Sequence, residues 1–265
     1  MGEAIVITSG KGGVGKTTTS ANIGTALALM GKKVCLIDTD IGLRNLDVIM
    51  GLENRIIYDI VDVIQERCKL KQALIKDKRF DYLALLPAAQ TSDKSAVTIE
   101  GMKKIVTELK QEYDYVVIDC PAGIEQGFQN AIAGADKAIV VTTPEKSSVR
   151  DADRIIGLLE KQDMESPKLV INRIRNHMMK NGDMIEIDDI VQILSIDLIG
   201  IVVDDDEVIK ASNSGKPVAF QPNSKASIAY RNIARRILGE TVPLQSLETE
   251  KGMFKKMKKF FGMRV

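Results

Sequence analysis

Residues 9–19 read Ser-Gly-Lys-Gly-Gly-Val-Gly-Lys-Thr-Thr-Thr and contain the pattern Gly10-x-x-x-x-Gly15-Lys16-Thr17, a complete phosphate-binding loop. A short apolar run at 4–8 precedes the loop, and apolar side chains recur at helical spacing over 23–30 after it. The motif requires strand, loop and helix in this order, because the phosphates bind at the N-terminal end of the helix. The stretch therefore predicts a nucleotide site and disfavours a glycine-rich turn without a ligand.

Each residue of the loop motif has an expected role in binding the nucleotide. Its glycines let the backbone curl, so that successive N–H groups point at phosphate oxygens. Lys16 then reaches the β- and γ-phosphates, and the Thr17 hydroxyl is offered to Mg²⁺, which prefers oxygen ligands. The predicted nucleotide-binding residues of the loop are Gly10, Lys11, Gly12, Gly13, Val14, Gly15, Lys16, Thr17 and Thr18.

Strand-like apolar runs alternate with helical patterns beyond this loop. The runs lie at 33–37, 82–86, 115–119, 138–142, 169–171 and 198–203, and the stretch 41–54 is predicted to be a loop. No proline- and glycine-rich linker divides the pattern, which predicts an α/β fold with one doubly wound, mostly parallel sheet and helices on both faces, as in P-loop NTPases. We expect an ATPase domain over 1–238, a flexible linker over 239–250 and a separate tail over 251–265.

Three carboxylates stand where predicted strands end. Asp119 closes Val116-Val-Ile-Asp119 as a Walker B acid would, and Asp38 and Asp40 end the second predicted strand. Phosphoryl transfer to water needs charge neutralisation and an oriented nucleophile, so these acids are candidates for binding the metal and positioning water. The structural alternative for each of them is an acid that only caps a turn.

The candidate base-recognition segment favours adenine. Guanine specificity is usually marked by Asn-Lys-x-Asp, whereas the segment after the sixth strand reads Asn172-Arg-Ile-Arg175 and lacks the aspartate. We therefore expect ATP, with Mg²⁺, as the bound nucleotide.

Composition argues for a soluble protein of the reducing cytoplasm. Cys35, Cys68 and Cys120 show no Cys-x-x-Cys spacing, which favours buried reduced thiols over a disulfide framework. The sequence has neither an N-terminal apolar signal region nor an apolar run of 18 residues. The net charge of +1 hides an asymmetry, because residues 251–265 hold six Lys/Arg and no acid.

On a helical wheel, this basic tail separates into two faces. Met253, Phe254, Met257, Phe260 and Phe261 fall on one face, and Lys255, Lys256, Lys258 and Lys259 fall on the other. An ordinary surface helix mixes acids among its bases, so the pattern favours a membrane-targeting amphipathic helix at an anionic bilayer surface. A helix packed on the core and a nucleic-acid patch are the alternatives.

The loop also carries a second lysine, Lys11, and in this it resembles the deviant Walker A motif of the MinD/ParA family of ATPases. The resemblance covers essentially the whole chain. It continues through 38–47, 119–123 and 211–218 to the basic amphipathic C-terminus, and it is most specific to the septum-site-determining members of the family.

The resemblance implies an ATP-dependent sandwich dimer, in which Lys11 of each subunit crosses to the phosphates bound by the other. Asp40 would position or polarise the attacking water. Asp38 would help to hold the metal region, Asp119 would bind Mg²⁺ through water, and Asn172 would contact the adenine. Lys11, Lys16 and Asp40 are therefore the expected catalytic residues.

The resemblance further implies an ATPase activated by dimerisation that cycles on and off the cytoplasmic face of the cell membrane. Its expected partners are a MinC-like division inhibitor and a topological regulator, either MinE-like or a polar anchor, and no nucleic acid is expected. Many relatives have proline at the position of Val203, which weakens the expectation of an adenine contact by the backbone of that segment.

Three other functions are compatible with parts of this sequence pattern. A ParA-type partition ATPase would bind DNA through a basic surface, although DNA-binding helices have little use for three phenylalanines on one face. An iron–sulfur carrier of the related nitrogenase-iron-protein group would need suitably spaced cysteines. A nucleotide-gated scaffold without hydrolysis would not need the intact Asp40.

Overall fold

The computed structural model describes residues 1–164 and 166–244. The expected membrane-binding tail at 251–265, and the linker from residue 245 onward, lie outside these ranges. Within them, the phosphate-binding loop and all three candidate carboxylates belong to one sheet-centred unit.

The strands and helices alternate along the chain as the sequence predicts. The strands are β1 (Glu3–Thr8), β2 (Val34–Asp38), β3 (Ile75–Lys76), β4 (Leu83–Leu86), β5 (Tyr115–Asp119), β6 (Lys137–Thr142), β7 (Lys168–Ile174) and β8 (Asp197–Val203). The helices are α1 (Lys16–Leu29), α2 (Leu46–Met50), α3 (Ile60–Ile64), α4 (Leu70–Ala73), α5 (Ile99–Glu112), α6 (Gln126–Ala133), α7 (Lys146–Glu160), α8 (Asn176–Lys180), α9 (Ile187–Leu194), α10 (Asp206–Asn213) and α11 (Lys225–Ile237).

The described strands form one sheet of eight, in the order β3-β4-β2-β5-β1-β6-β7-β8. All neighbours pair in parallel except β3, which runs antiparallel to β4. From β1 the chain continues to β2, β3, β4 and β5, which all lie on one side of β1 in the sheet. After β5 it crosses to β6, β7 and β8 on the other side of β1. β1 therefore lies at the point where the sheet's connections change direction, which is where open α/β sheets bind ligands.

Both faces of the sheet are covered, because successive side chains of a strand point to opposite faces. In β1, Ala4 and Val6 join a buried core that includes residues of α5, α6, α7 and α9. Ile5 and Ile7 join a second core with α1 and α11. The predicted doubly wound, mostly parallel sheet with helices on both faces is confirmed.

The prediction of a loop throughout 41–54 is wrong. Residues Leu46–Met50 form α2, and a 3-10 turn follows at Glu53–Arg55. Helix α2 is capped by a side chain from the end of β2. The backbone N–H groups of Asn45 and Leu46 donate to a carboxylate oxygen of Asp38 at 3.3 and 3.1 Å. Asn45 is of a favoured N-cap type but makes no side-chain cap, and the acceptor, Asp38, lies before the helical pattern.

Candidate nucleotide and metal site

The loop between β1 and α1 has a backbone that requires glycine at several positions. Gly13 and Gly15 have φ values of +79° and +99°, which are strained for residues with a Cβ. A Cβ on Gly10 would lie 2.2 Å from the carbonyl oxygen of Asp151 in α7. The glycines therefore give the loop its curl and let α7 pack directly against it.

Lys16 is the first residue of α1 and is buried, with 7% of its surface exposed. The residue that precedes the helix is Gly15, and no side chain caps the helix there. The N–H groups of the first turn therefore face the loop without a capping side chain, and the partial positive charge of the helix end favours an anion. Thr17 and Thr18 are half-buried in the same turn.

Asp38 and Asp119 lie side by side at the C-terminal ends of β2 and β5, where the strand register pairs them directly. Both are buried, each with 1% exposure. Asp38 accepts hydrogen bonds from the backbone N–H of Asp40, at 2.9 Å, and from the start of α2. Asp119 accepts one from the Ser20 hydroxyl at 2.8 Å and another from the Thr17 hydroxyl.

Burial raises the pKa of both carboxyl groups above the usual aspartate range, because the charged form loses its hydration. The charge of Asp38 raises the pKa of Asp119 further, while Thr17, Ser20 and Lys16 oppose the shift. Two adjacent buried carboxylates beside a threonine hydroxyl are the hard oxygen donors that Mg²⁺ prefers. A bound cation would also offset their mutual repulsion, so the donor set fits this metal.

The raised pKa predicts how the stability of the nucleotide-free protein depends on pH. Its folded state holds the proton of Asp119 more tightly than the unfolded chain does, so this group's contribution to stability is lost as the pH rises from ~4 toward neutrality. An asparagine in its place cannot ionise and can still accept the Ser20 hydrogen bond. We expect Asp119→Asn to stabilise the nucleotide-free protein by roughly 1–3 kcal/mol at pH 7.5 and much less at pH 4.5.

Urea unfolding at the two pH values, without Mg²⁺, measures this difference. An equal change in the free energy of unfolding at both pH values would contradict a raised pKa. Adding Mg-ADP should favour the wild type over the Asp119→Asn protein, because the variant lacks one carboxylate for the metal.

Asp40 lies just beyond β2, half-buried, with its backbone tied to Asp38. It lines a small cavity of about 140 Å³ with Pro121 and Ala122, which follow β5. The loops that follow Asp38 and Asp119 therefore meet at one place. A cavity of this size has room for water next to a carboxylate.

Lys11 differs from Lys16 in its surroundings, because its ammonium group contacts the start of α7. It donates to the Ser147 hydroxyl at 3.0 Å and pairs with Glu145 at 3.3 Å, and 41% of its side chain is exposed. Ion pairs this exposed contribute little to stability. Lys11 is therefore available to another partner at low cost.

Asn172 is buried near the C-terminal end of β7, with 5% exposure. Its amide donates to the backbone carbonyl of Val14 in the phosphate-binding loop at 2.9 Å. The structure thus brings this predicted site residue to the loop itself.

A surface cavity of about 760 Å³ opens where β7 and β8 end. Its lining includes Ile174, Arg175 and Val203 from the strand ends, and Asp205 and Ser224 from the starts of α10 and α11. Asp205 is fixed by hydrogen bonds from the Ser224 hydroxyl at 2.9 Å and the Ala226 N–H at 3.2 Å.

Sequence reasoning missed several residues of this region. Ser20, which binds Asp119, lies one helical turn after Lys16, so helical periodicity could have placed it on the same face. Glu145, Ser147 and Asp205 lie far from the loop in sequence and carried no comparable signal.

None of the helices in the described part of the chain has the length and apolar character needed to cross a bilayer.

Comparisons with known proteins find similar sequences and similar structures. A protein-family model described as an AAA domain matches residues 2–171. The chain is 75% identical to the septum site-determining protein MinD of Bacillus subtilis (strain 168) over 267 residues, which covers 100% of both chains.

Two solved structures resemble this fold closely. The MinC:MinD cell division protein complex of Aquifex aeolicus matches with a TM-score of 0.86 and 52% identity, over 92% of this chain and 99% of that chain. The septum site-determining protein MinD of Pyrococcus horikoshii OT3, complexed with Mg-ADP, matches with a TM-score of 0.82 and 28% identity, over 89% and 96% of the two chains.

Proposed function

Because this chain belongs to the MinD family of septum site-determining ATPases, we propose that it is an ATP-driven switch, which dimerises with ATP, binds the inner face of the cell membrane and recruits a division inhibitor. The observation that carries the proposal is the pair of lysines in one loop. Lys16 is buried at the helix end, while Lys11 is half-exposed and contacts Glu145 and Ser147 at the surface. Lys16 is placed to bind the phosphates of the chain's own nucleotide, and Lys11 can reach the nucleotide of a second subunit.

Each part of ATP binding and hydrolysis is assigned to particular residues of the site. The loop N–H groups and Lys16 bind the phosphates, and Thr17, Asp38 and Asp119 would hold Mg²⁺, which neutralises phosphate charge when bound. Asp40 orients the attacking water from the small cavity between the loops that follow Asp38 and Asp119. Asn172, which lies against the loop, contacts the adenine.

We expect Asp40→Ala to slow hydrolysis by at least roughly 10²-fold, the scale on which a positioned acid or base contributes. ATP binding and ATP-dependent dimerisation should persist, because the phosphates keep their positive partners. Phosphate release and light scattering measure the two properties. Asp81→Ala, at an exposed position, is the matched control, and an Asp40→Ala protein that stays monomeric with ATP would show that Asp40 has another role.

The tail converts the dimeric state into membrane binding. Each lysine near an anionic surface contributes ~1 kcal/mol, but a helix of this length is marginal in water and must order on lipid, so one tail binds weakly. Two tails on one dimer make the second attachment intramolecular, which raises avidity by roughly 10²–10⁴. ATP therefore loads the protein onto the membrane, and hydrolysis releases it.

Phe260→Glu tests the apolar face of the tail. The change removes phenyl burial of ~1.5–3 kcal/mol at most and adds repulsion from anionic lipid. We expect ATP-dependent sedimentation with anionic vesicles to be lost, while ATP affinity and dimerisation in solution stay unchanged. Lys259→Glu reverses a charge on the other face and gives a matched control whose defect should depend more on salt. Undiminished vesicle binding by the Phe260→Glu protein would place the membrane contact elsewhere.

The division inhibitor is proposed from the relatives. The Aquifex aeolicus structure is described as a MinC:MinD complex, and that MinD is 52% identical to this chain. A MinC-like protein is therefore the partner we propose, with a topological regulator that is MinE-like or a polar anchor.

The second candidate function is DNA partition of the ParA type, which shares the phosphate loop and Lys11. Co-sedimentation of the ATP-bound protein with anionic vesicles and with duplex DNA separates the two. The proposal expects vesicle binding alone, and ATP-dependent binding to DNA without vesicle binding would contradict it.

A further inference from the structure

Asn172 is tied to the phosphate-binding loop by a contact that needs no nucleotide. Its side-chain Nδ2 donates to the carbonyl oxygen of Val14 at 2.9 Å, and its Oδ1 accepts from the N–H of Arg173 at 2.9 Å. Gly15 lies so close that a Cβ there would come within 2.3 Å of Nδ2. The amide is thus fixed at both ends, by the loop at Nδ2 and by the backbone of its own strand at Oδ1.

The strand is distorted at the point where Asn172 makes this contact. Its neighbour Arg173 has φ +56°, a left-handed conformation that is unfavourable for a residue with a Cβ. The pairing with β8 shifts register between Ile171 and Ile174. Such bulges redirect side chains and persist where the surrounding structure fixes them, often beside functional sites.

We propose that Asn172 is a positioning residue for the phosphate-binding loop, in addition to any contact with the base. This inference rests on the proposed nucleotide site. The C=O of Val14 and the N–H of Gly15 belong to one planar trans peptide, so they point in opposite directions. By holding the Val14 oxygen, Asn172 turns the Gly15 N–H away from β7 and sets the loop before the nucleotide arrives.

Positioning of the loop and recognition of adenine leave different signatures. A contact with the base acts only when a base is present. A contact with Val14 acts on any phosphate ligand, and it also acts on the loop without ligand, because an ordered loop loses less conformational freedom on binding.

Asn130 provides a matched control. It is also buried, at 3% exposure, and its Nδ2 donates to a backbone carbonyl, that of Val97, at 2.6 Å. Asn130→Ala therefore removes the same kind of hydrogen bond from a different element, α6. Because Asn130 also lines the small cavity beside Asp40, this control is judged by exchange and binding and not by hydrolysis.

The first measurement is hydrogen exchange of the nucleotide-free full chain. In Asn172→Ala we expect at least tenfold faster exchange of the amides in 10–18 and unchanged exchange in 126–133, and the reverse in Asn130→Ala. Exchange of 10–18 at the wild-type rate in Asn172→Ala would overturn the proposal. Asn172→Ser serves as the second variant if the alanine protein does not fold.

The second measurement is the affinity for inorganic triphosphate with Mg²⁺, beside that for Mg-ATP. We expect Asn172→Ala to weaken both by similar factors of tenfold or more, and Asn130→Ala to change neither. A variant that loses Mg-ATP affinity but keeps wild-type triphosphate affinity would show that Asn172 contacts only the base. A wild type that binds neither ligand would instead refute the nucleotide site, while the exchange experiment would still decide the role of Asn172.

Discussion

Lys16→Ala is expected to abolish measurable ATP hydrolysis. Lys16 is the buried cation of the loop, and it lies close enough to Asp119 for its charge to oppose the rise in the pKa of that carboxyl group. Removing one preorganised charge from a transition state costs roughly 10²–10³ in rate, and here the same charge also binds the β- and γ-phosphates of the ground state. Both rate and affinity should therefore fall, and the combined loss in kcat/KM should exceed ~10³.

Phosphate release and equilibrium ATP binding measure the two losses. Lys103→Ala, at an exposed position of α5, is the control for removing a lysine and should match the wild type. Hydrolysis by the Lys16→Ala protein within a factor of two of the wild type would refute the assignment of the loop.

Lys11→Ala is expected to separate nucleotide binding from dimerisation. In the described chain, Lys11 contacts Glu145 and Ser147, and its exposed ion pair contributes little to the stability of the fold. If it crosses to the partner's phosphates, its loss removes charge-assisted hydrogen bonds from each of two symmetric sites, at ~1.5–3 kcal/mol per bond. A twofold loss on this scale weakens dimerisation by at least roughly 10²-fold.

We therefore expect the Lys11→Ala protein to bind ATP with near wild-type affinity and to remain monomeric. Light scattering with a non-hydrolysable analogue measures the mass. Glu145→Gln is the matched variant, because it removes the partner of Lys11 within the chain and keeps the lysine. It should dimerise at least as well as the wild type, whereas a stable analogue-bound dimer of Lys11→Ala would contradict the role of Lys11 across the interface.

The parts of the fold that local sequence governs could be predicted. The helix over Ile99–Glu112 buries Met102, Ile105, Val106 and Leu109, which are spaced in the sequence as the inner face of a helix requires. The strand ends at Asp38 and Asp119 also follow from apolar runs that stop at a carboxylate. Sequence could not show that the two acids are direct neighbours, because β2 and β5 are far apart in the chain.

The parts that tertiary contacts govern could not be predicted. Helix α2 begins where Asp38 accepts its first N–H groups, and the two-residue strand β3 exists only because it pairs with β4. Asn172 was expected to contact adenine, and its hydrogen bond to Val14 depends on a strand bulge that the sequence does not signal. In each case the decisive partner lies outside the local pattern.

The central claim is that nucleotide state controls membrane binding through dimerisation. Sedimentation of the wild-type protein with anionic vesicles in ADP, in ATP and in a non-hydrolysable ATP analogue tests it most directly. Because the dimer carries two tails, we predict strong binding with the analogue, binding with ATP that declines as ATP is consumed, and binding with ADP weaker by roughly 10²-fold or more. Equal binding in ADP and in the analogue would contradict the account.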